Sequence, residues 1–353
     1  MEQKSKAIEF KETTSISTGV FYGMGGAGLQ LCWFMIVNYL TLFYTDVVGL
    51  TASAISAIML IARIWDAIND PMMGVIADRT KTRWGRYRPY LMIAPPVMAI
   101  FNVLTFTVFP LAGIAKVIVC LLTYIGSGMA YTALSICLNS LANVIAKSSR
   151  VRVNYVTFRS SAMAIINIIL SSVAMPLILK ISGSEVANAK GYFGTTVLFS
   201  VIMMILFWLC AWRVKEPQEE INRIMQTREK MSIMHSFKVV AKNKYLLMIC
   251  INTLLACIAT QGRMSMLSYY VIYCMGSYTL IAPIYTIMSA TCLLGTILMP
   301  FTTKLIGKRN VVIVYNLVAI ACFITIFFLP SSSVGMILFI TAIIGICSWS
   351  AAD

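Results

Sequence analysis

Arg63-Ile64-Trp65-Asp66-Ala67-Ile68-Asn69-Asp70-Pro71, in the second hydrophobic segment of the chain, is the stretch that decides the fold. Asp66 and Asp70 are four residues apart, so on a helix their side chains lie one above the other on a single face. Asn69 sits beside them, and Arg63 lies one turn before Asp66. Apolar sequence encloses the group, from Ile55 to Ile64 on one side and from Met72 to Ala77 on the other. Such a segment reads as a helix inside a membrane, where one carboxylate near the bilayer centre costs roughly 2.5–3.5 kcal/mol on insertion scales. Two stacked carboxylates also repel each other. The pair needs a cation, protons or the Arg63 guanidinium to be tolerated there, and a mobile cation is what a symporter uses.

The rest of the chain fits a membrane setting. Its 353 residues are 59% hydrophobic and 12% charged, with a mean hydropathy of +0.84, which marks an all-α polytopic membrane protein rather than a soluble one. The formal charge of +15 raises the question of a nucleic-acid partner. Positive residues concentrate in alternate loops, as membrane orientation requires, so no nucleic acid is expected as a partner. The ten cysteines are scattered through apolar segments, and the closest two, Cys250 and Cys257, are seven apart. With no CxxC and no His/Cys cluster, neither a disulfide framework nor a zinc site is indicated. The opening MEQKSKAIEFKETT is polar and mixed in charge, unlike a cleavable signal peptide.

Segments near the ~20 residues that hydrocarbon thickness demands recur about ten times, at 19–44, 52–77, 89–110, 115–144, 154–180, 191–212, 245–274, 279–304, 311–329 and 333–351. The loop after the second segment carries Arg79, Lys81, Arg83, Arg86 and Arg88; later loops on the same side carry Lys147, Arg150 and Arg152, then Lys304, Lys308 and Arg309. Loops on the opposite side are nearly uncharged: Thr45 to Leu50 holds only Asp46, and Ser331 to Gly335 holds no charge. The positive-inside rule then puts the N-terminus in the cytoplasm and the protein in the cell membrane as a multi-pass chain.

Residues 213–244 form the one long polar interruption. It divides the chain into a six-helix N-terminal bundle over 1–212, a central cytoplasmic loop over 213–244, and a C-terminal bundle over 245–353. The halves echo one another: Arg83-Trp84-Gly85-Arg86-Tyr87-Arg88 follows the second segment, and Lys304-Leu305-Ile306-Gly307-Lys308-Arg309 follows the second segment of the second half. A basic, glycine-containing tight loop at corresponding places is what a duplicated transporter shows, although any cytoplasmic loop attracts Lys, Arg and Gly. The tenth segment ends Ser348-Trp349-Ser350-Ala351-Ala352-Asp353 with no polar tail. Six spans per half follow from the repeat and four are visible in the second, so the C-terminal bundle is read as helices 7–10 of a truncated set.

Tyr44-Thr45-Asp46-Val47-Val48-Gly49-Leu50, then ARIWDAINDPMMGVIADRT, then KTRWGRYRPYL, closely resembles the glycoside–pentoside–hexuronide:cation symporters, the melibiose-permease branch of the major facilitator superfamily. The match is specific over residues 20–92 and looser through Tyr131-Thr132, Arg159 and the stretch from Arg263 to Gly276. The resemblance implies a major facilitator fold of twelve helices in two bundles, with a central cavity for sugar and cation. The final Ala-Ala-Asp resembles the start of a family motif after helix ten, in keeping with a missing C-terminal end.

Carried over residue by residue, the cation site of the sodium-coupled members maps to Asp66, Asn69, Asp70 and Thr132, with Asp66 and Asp70 as the sodium-binding carboxylates. Hard oxygen ligands suit sodium, and a carboxylate pair can take a proton instead, so the two ions are expected to compete for one site. The plainer alternative makes Asp66 and Arg63 a buried pair serving helix packing. The sugar site departs from the family: its acidic residue on helix one aligns with Gln30, its acidic residue on helix four with Ser135, and its stacking tryptophan with Asn139, while its helix-five arginine matches Arg159. Uncharged polar groups can still hydrogen-bond hydroxyls, and Arg159 or Arg263 could pair with the carboxylate of a hexuronide.

Thr132, Ser135, Asn139 and Asn143 recur at helical spacing and share a face, with Asn143 assigned to helix packing and Ser135 and Asn139 to the cavity lining. The run Gly19, Gly23, Gly25, Gly26 and Gly28 reads as a surface for close helix contact. Asp78, Arg79, Arg83, Gly85 and Arg86 form the expected gating loop, with Asp78 and Arg79 as a latch between helices and Trp84 and Tyr87 as interfacial anchors. His235 stands alone in the long loop and carries no expected chemistry. The expected function is cation-coupled symport, with sodium or a proton, of a sugar, glycoside or hexuronide by alternating access. A proton-coupled carrier of a non-sugar solute and an efflux carrier are the alternatives. An intramembrane prenyltransferase is remote, because diphosphate held through magnesium needs further carboxylates inside the spans. No enzyme activity and no cofactor beyond the coupling ion are expected; the partners are a small-molecule carbohydrate and membrane lipid, and the chain is expected to be monomeric.

Overall fold

A computed structural model describes residues 16–146, 148–217, 248, 251, 266–328 and 333–347, and among these the fold is carried by nine α-helices with no strand. The helices are α1 (Ile16–Leu42, continued by one π turn, Phe43–Val47), α2 (Ala52–Arg79), α3 (Arg88–Thr105), α4 (Gly113–Ile145), α5 (Ser149–Ser182), α6 (Ala189–Arg213), α7 (Ile281–Ile306), α8 (Lys308–Phe328) and α9 (Val334–Cys347). Six described helical segments are long and apolar enough to cross a membrane by length and composition: α1 with its π turn, α2, α4, α5, α6 and the stretch Tyr278–Gly295 that enters α7, with α3 not among them. The chain is thus a multi-pass membrane protein, and α1 to α6 follow the first six spans read from the sequence.

Helix boundaries follow local chemistry. Thr51, Ser148 and Asn188 each use a side-chain oxygen to accept from a backbone N–H three residues on, capping α2, α5 and α6. Helix α5 stops where Gly183 turns left-handed at φ +66°. Helix α3 ends at Thr105, short of the residue 110 expected from hydropathy. The apolar run continues past Phe106 as a loop through Pro110. Of the predicted seventh span, Met248, Ile251 and the stretch from Met266 are described; that stretch ends in a π turn, Tyr270–Cys274, and a 3-10 turn, Tyr278–Leu280, leads into α7.

Helix α1 is the centre of the first bundle and packs on α5 and α6; α3 packs on α4 and α6, and α2 on α4. The glycine run does what its spacing promised. A Cβ on Gly23 would come 3.0 Å from the Phe158 carbonyl oxygen of α5, and one on Gly28 would meet the Phe207 ring of α6 at 3.0 Å. Gly23→Val is accordingly expected to lower stability by about 1–3 kcal/mol, because backbone on the facing helix cannot move aside. Gly74→Ala is the control, since its Cβ would meet nothing within 4 Å. Thermal unfolding in detergent checks both, and a wild-type midpoint for Gly23→Val would contradict the packing.

Helix α7 joins the second part of the chain to the first by packing on α5, and on its other side it packs on α9. Along α2, Leu60, Ile61, Ile64, Ile68, Met72 and Ile76 are exposed, an apolar face suited to lipid. The two glycines of the echoing basic loops, Gly85 and Gly307, both take positive φ, +111° and +81°, backbone that suits glycine.

Candidate functional site

The carboxylate pair sits on α2 against α4. Thr132 donates from Oγ1 to Asp70 Oδ1 at 2.8 Å, so the structure brings together two of the four expected cation-site residues from different helices. Asp66 Oδ2 accepts from Arg63 Nη1 at 3.3 Å, while the Arg63 side chain is 52% exposed. A second arm of the same guanidinium donates to Tyr124 OH at 3.4 Å. The contact is one long hydrogen bond from a half-exposed arginine rather than a bidentate lock. Asn69 is buried, and its Nδ2 has no partner among the described residues. Gly128, one turn before Thr132 on α4, faces the site: a Cβ there would lie 3.3 Å from Asp66 Oδ1. Its four-residue spacing from Thr132 was visible in the sequence but carries no meaning until α2 is placed opposite. Two carboxylates and a hydroxyl here offer oxygen ligands for a small hard cation or a seat for a proton.

A cavity of about 160 Å³ opens beside this site between α1, α5 and α7. Gln30 lines it, as expected; the other lining groups, among them Trp33, Asn38, Asn167, Tyr285 and Ser289, were not singled out from the sequence. Hydrogen bonds tie the wall together: Gln30 Nε2 to Asn167 Oδ1 at 2.8 Å, and Asn167 Nδ2 to Ser289 Oγ at 2.9 Å. Ser135, Asn139 and Arg159 are not among the lining residues. Ser135 is half-buried on α4 and Asn139 is exposed. Arg159 lies lower on α5 with its Nε buried and unpartnered among the described residues, its stem against Gly26. Asn143 accepts from Arg152 Nη1 at 3.3 Å and so links α4 to α5. Arg263 and His235 lie outside the described residues.

The cavity and the carboxylates are neighbours. Trp33 on the cavity wall stacks on Tyr131 of α4, ring centroids 4.1 Å apart and planes 20° from parallel. The next residue is Thr132, which holds Asp70. At the end of the molecule that carries the α1–α2 loop, Asp46 accepts from Tyr273 OH at 2.8 Å and from Tyr278 OH at 3.4 Å. Thr45 Oγ1 and Tyr269 OH are 3.1 Å apart beside them, so polar contacts close that end between the first bundle and the second part of the chain.

At the opposite end the basic loop folds around an acid that sequence reading passed over. Glu216 is buried and accepts three backbone N–H groups, from Arg86 at 2.9 Å, Tyr87 at 2.7 Å and Arg88 at 3.0 Å. Gly85 leaves the room, because a Cβ on it would press into the Glu216 carboxyl group. Nothing distinguished Glu216 from its acidic neighbours Glu219 and Glu220 in the sequence. Of the expected latch, Asp78 pairs with Arg86, 3.6 Å away, and Arg79 is exposed, as is Arg83. Residues adjacent on a helix point about 100° apart, and the folded-back loop supplies the nearer cation. Trp84 is 42% exposed, as an anchor would be. Tyr87 is not: it is buried and donates to Asp78 Oδ1 at 2.7 Å.

Burial first, and then that hydrogen bond to Asp78, push the Tyr87 phenol from its ordinary 10.0 up to about 12. The folded protein keeps this proton at a pH where the unfolded chain has lost it. The resulting stability is whole below pH 10.0 and is lost as pH rises through about 12. Unfolding midpoints measured across that range should fall more steeply for the wild type than for Tyr87→Phe, and parallel curves would contradict the assignment.

Comparison with known proteins follows this geometry. The family model described as MFS/sugar transport protein matches residues 21–352. The chain belongs to that family. Among curated relatives in the MFS/sugar transport family, an isoprimeverose transporter of Lactiplantibacillus pentosus is 31% identical over 85% of this chain and 61% of its own length. A glucuronide carrier protein homolog of Escherichia coli is 28% identical over 93% of this chain and 71% of its own. The chain therefore spans about three-fifths of the first of these relatives and rather more of the second. The crystal structure of a D-xylose-proton symporter shares the fold, with a TM-score of 0.65 at 14% identity, covering 95% of this chain and 80% of that one. Family and fold are those of major facilitator transporters, not of enzymes, and the prenyltransferase alternative falls.

Proposed function

We propose that the protein is a cation-coupled carrier of a sugar or glycoside that works by alternating access. The observation that carries the reading is the juxtaposition of an intramembrane carboxylate pair, one member held by Thr132, with a cavity whose Trp33 stacks on Tyr131, the residue before Thr132 on α4. Intramembrane acids of this kind mark ion pathways. The isoprimeverose and glucuronide carriers among the relatives and the fold shared with a xylose–proton symporter support a carbohydrate as solute.

A cation, sodium or a proton, neutralises Asp66 and Asp70 and lets α2 settle against α4. Tyr131 and Trp33 carry that settling to the cavity wall. The loaded carrier then exchanges which end is closed: the Asp46–tyrosine contacts at one end, the Glu216-clasped loop with Asp78, Arg79, Arg83, Gly85 and Arg86 at the other. The basic loops at the second end support a cytoplasmic position for it and for the N-terminus. Uptake into proteoliposomes of labelled glycosides, pentosides and hexuronides, under sodium, lithium or proton gradients, tests the proposal. Accumulation of at least one sugar driven by one of these ions is expected; uptake of none, or uptake indifferent to every ion, would contradict it.

A further inference from the structure

The cavity wall mixes apolar side chains, Phe34, Val37 and Met288 among them, with uncharged polar ones, and carries no charged side chain among the described residues. Gln30, Asn38, Asn167, Ser171 and Ser289 contribute amides and hydroxyls, and Tyr285 a phenol. Each of these groups both donates and accepts. Gln30, Asn167 and Ser289 are joined in a relay across α1, α5 and α7, and Ser171 Oγ lies 2.8 Å from Ser289 Oγ. A sugar hydroxyl has the same dual character and can be exchanged for any partner in that relay. A carboxylate only accepts, and none of the described lining groups offers it a counter-charge. Arg159, on α5, precedes Asn167 by eight residues, about 12 Å along the helix axis. Nor is the wall only polar. Trp33 lines the cavity and is held flat against Tyr131, which gives a rigid aromatic surface of the kind that receives the apolar face of a sugar ring. At about 160 Å³ the space is below the roughly 300–1,000 Å³ of drug-sized sites, and suits a small glycoside.

From these observations we infer that the cavity selects an uncharged, hydroxyl-rich glycoside over a hexuronide, with Trp33 as the platform for its ring and the Gln30–Asn167–Ser289 relay as the hydroxyl reader. The inference rests on the carrier reading above and narrows its substrate class. Arg159, the arginine assigned to a hexuronide carboxylate by the resemblance, is not among the lining residues.

The test is equilibrium binding of radiolabelled methyl xyloside, methyl glucoside and methyl glucuronide to the purified full chain, with Trp33→Phe and Trp33→Ala beside it. Expected is binding of at least one neutral glycoside, with the glucuronide at least about 100-fold weaker because its charge would be buried unpaired. Trp33→Ala should weaken the neutral ligand by about tenfold or more, and Trp33→Phe should restore most of that. Glucuronide binding as tight as that of the neutral sugars overturns the inference and leaves sugar carriage standing. Binding of no sugar at all overturns both. Wild-type affinity in Trp33→Ala overturns the platform. Should that variant fail to fold, the three-ligand comparison on the wild type still decides the selectivity.

Discussion

Asp70→Asn is expected to abolish cation-stimulated uptake while the protein remains folded and inserted. The substitution is nearly isosteric, and asparagine keeps a carbonyl oxygen where Thr132 Oγ1 now donates at 2.8 Å to Asp70 Oδ1. Helix α2 therefore keeps its contact with α4, and what disappears is one negative charge. A unit charge about 4 Å from a cation is worth about 4 kcal/mol at the effective dielectric typical near protein surfaces, close to three decades of affinity. That loss is large enough to remove coupling at any ordinary ion concentration. Asp66→Asn should act in the same direction but less cleanly, because it also releases Arg63 from its 3.3 Å contact. Uptake with each ion gradient, beside a surface-expression control, measures the effect. Coupling at wild-type level in Asp70→Asn would refute the assignment.

The second large effect is on stability. Glu216→Ala leaves three backbone N–H groups, of Arg86, Tyr87 and Arg88, without their acceptor. Each buried donor stranded in this way costs about 1–3 kcal/mol, so a loss of at least about 3 kcal/mol is expected even if water recovers part of it. Glu216→Gln should fall between. Its carbonyl oxygen can still receive Tyr87 and Arg88, which share Oε1, but its amide then faces the Arg86 N–H, which now donates to Oε2. Arg88 Nε also donates to the Ala211 carbonyl at 2.7 Å, so the α2–α3 loop should lose its hold on the end of α6. Thermal unfolding in detergent reads this directly, and limited proteolysis of the loop reads it locally. A Glu216→Ala variant within about 1 kcal/mol of wild type would mean that the clasp is dispensable.

Much of this molecule was legible before any coordinates. The first six spans, the shared face of Asp66 and Asp70, the small-residue surface of α1 and the reach of Thr132 toward the acids all follow from periodicity or from a resemblance carried on specific residues. What was not legible depends on which faces of different helices meet. Gln30 could be named from an alignment, but Trp33, Asn167 and Ser289 read as ordinary residues of apolar helices until α1, α5 and α7 enclose them. Ser135 and Asn139 share the helical face of Thr132 in sequence, yet none of the three lines the cavity. Asp78 and Arg79 read as a latch between helices, and the partner that the left-handed turn at Gly85 folds back onto Asp78 is Arg86. Tyr87 looked like an interfacial anchor and is buried by the same turn. Glu216 could not have been found, because its partners are backbone amides and leave no mark in the sequence.

Infrared difference spectroscopy of the purified protein tests most directly whether the acid pair holds an ion that comes and goes. Carboxylate bands would be recorded on adding sodium, on adding lithium and after a downward pH step. At least one of these should change a carboxylate band in the wild type, and that change should vanish in Asp66→Asn and in Asp70→Asn. Carboxylate bands indifferent to all three ions, or a response that survives both substitutions, would contradict the central claim.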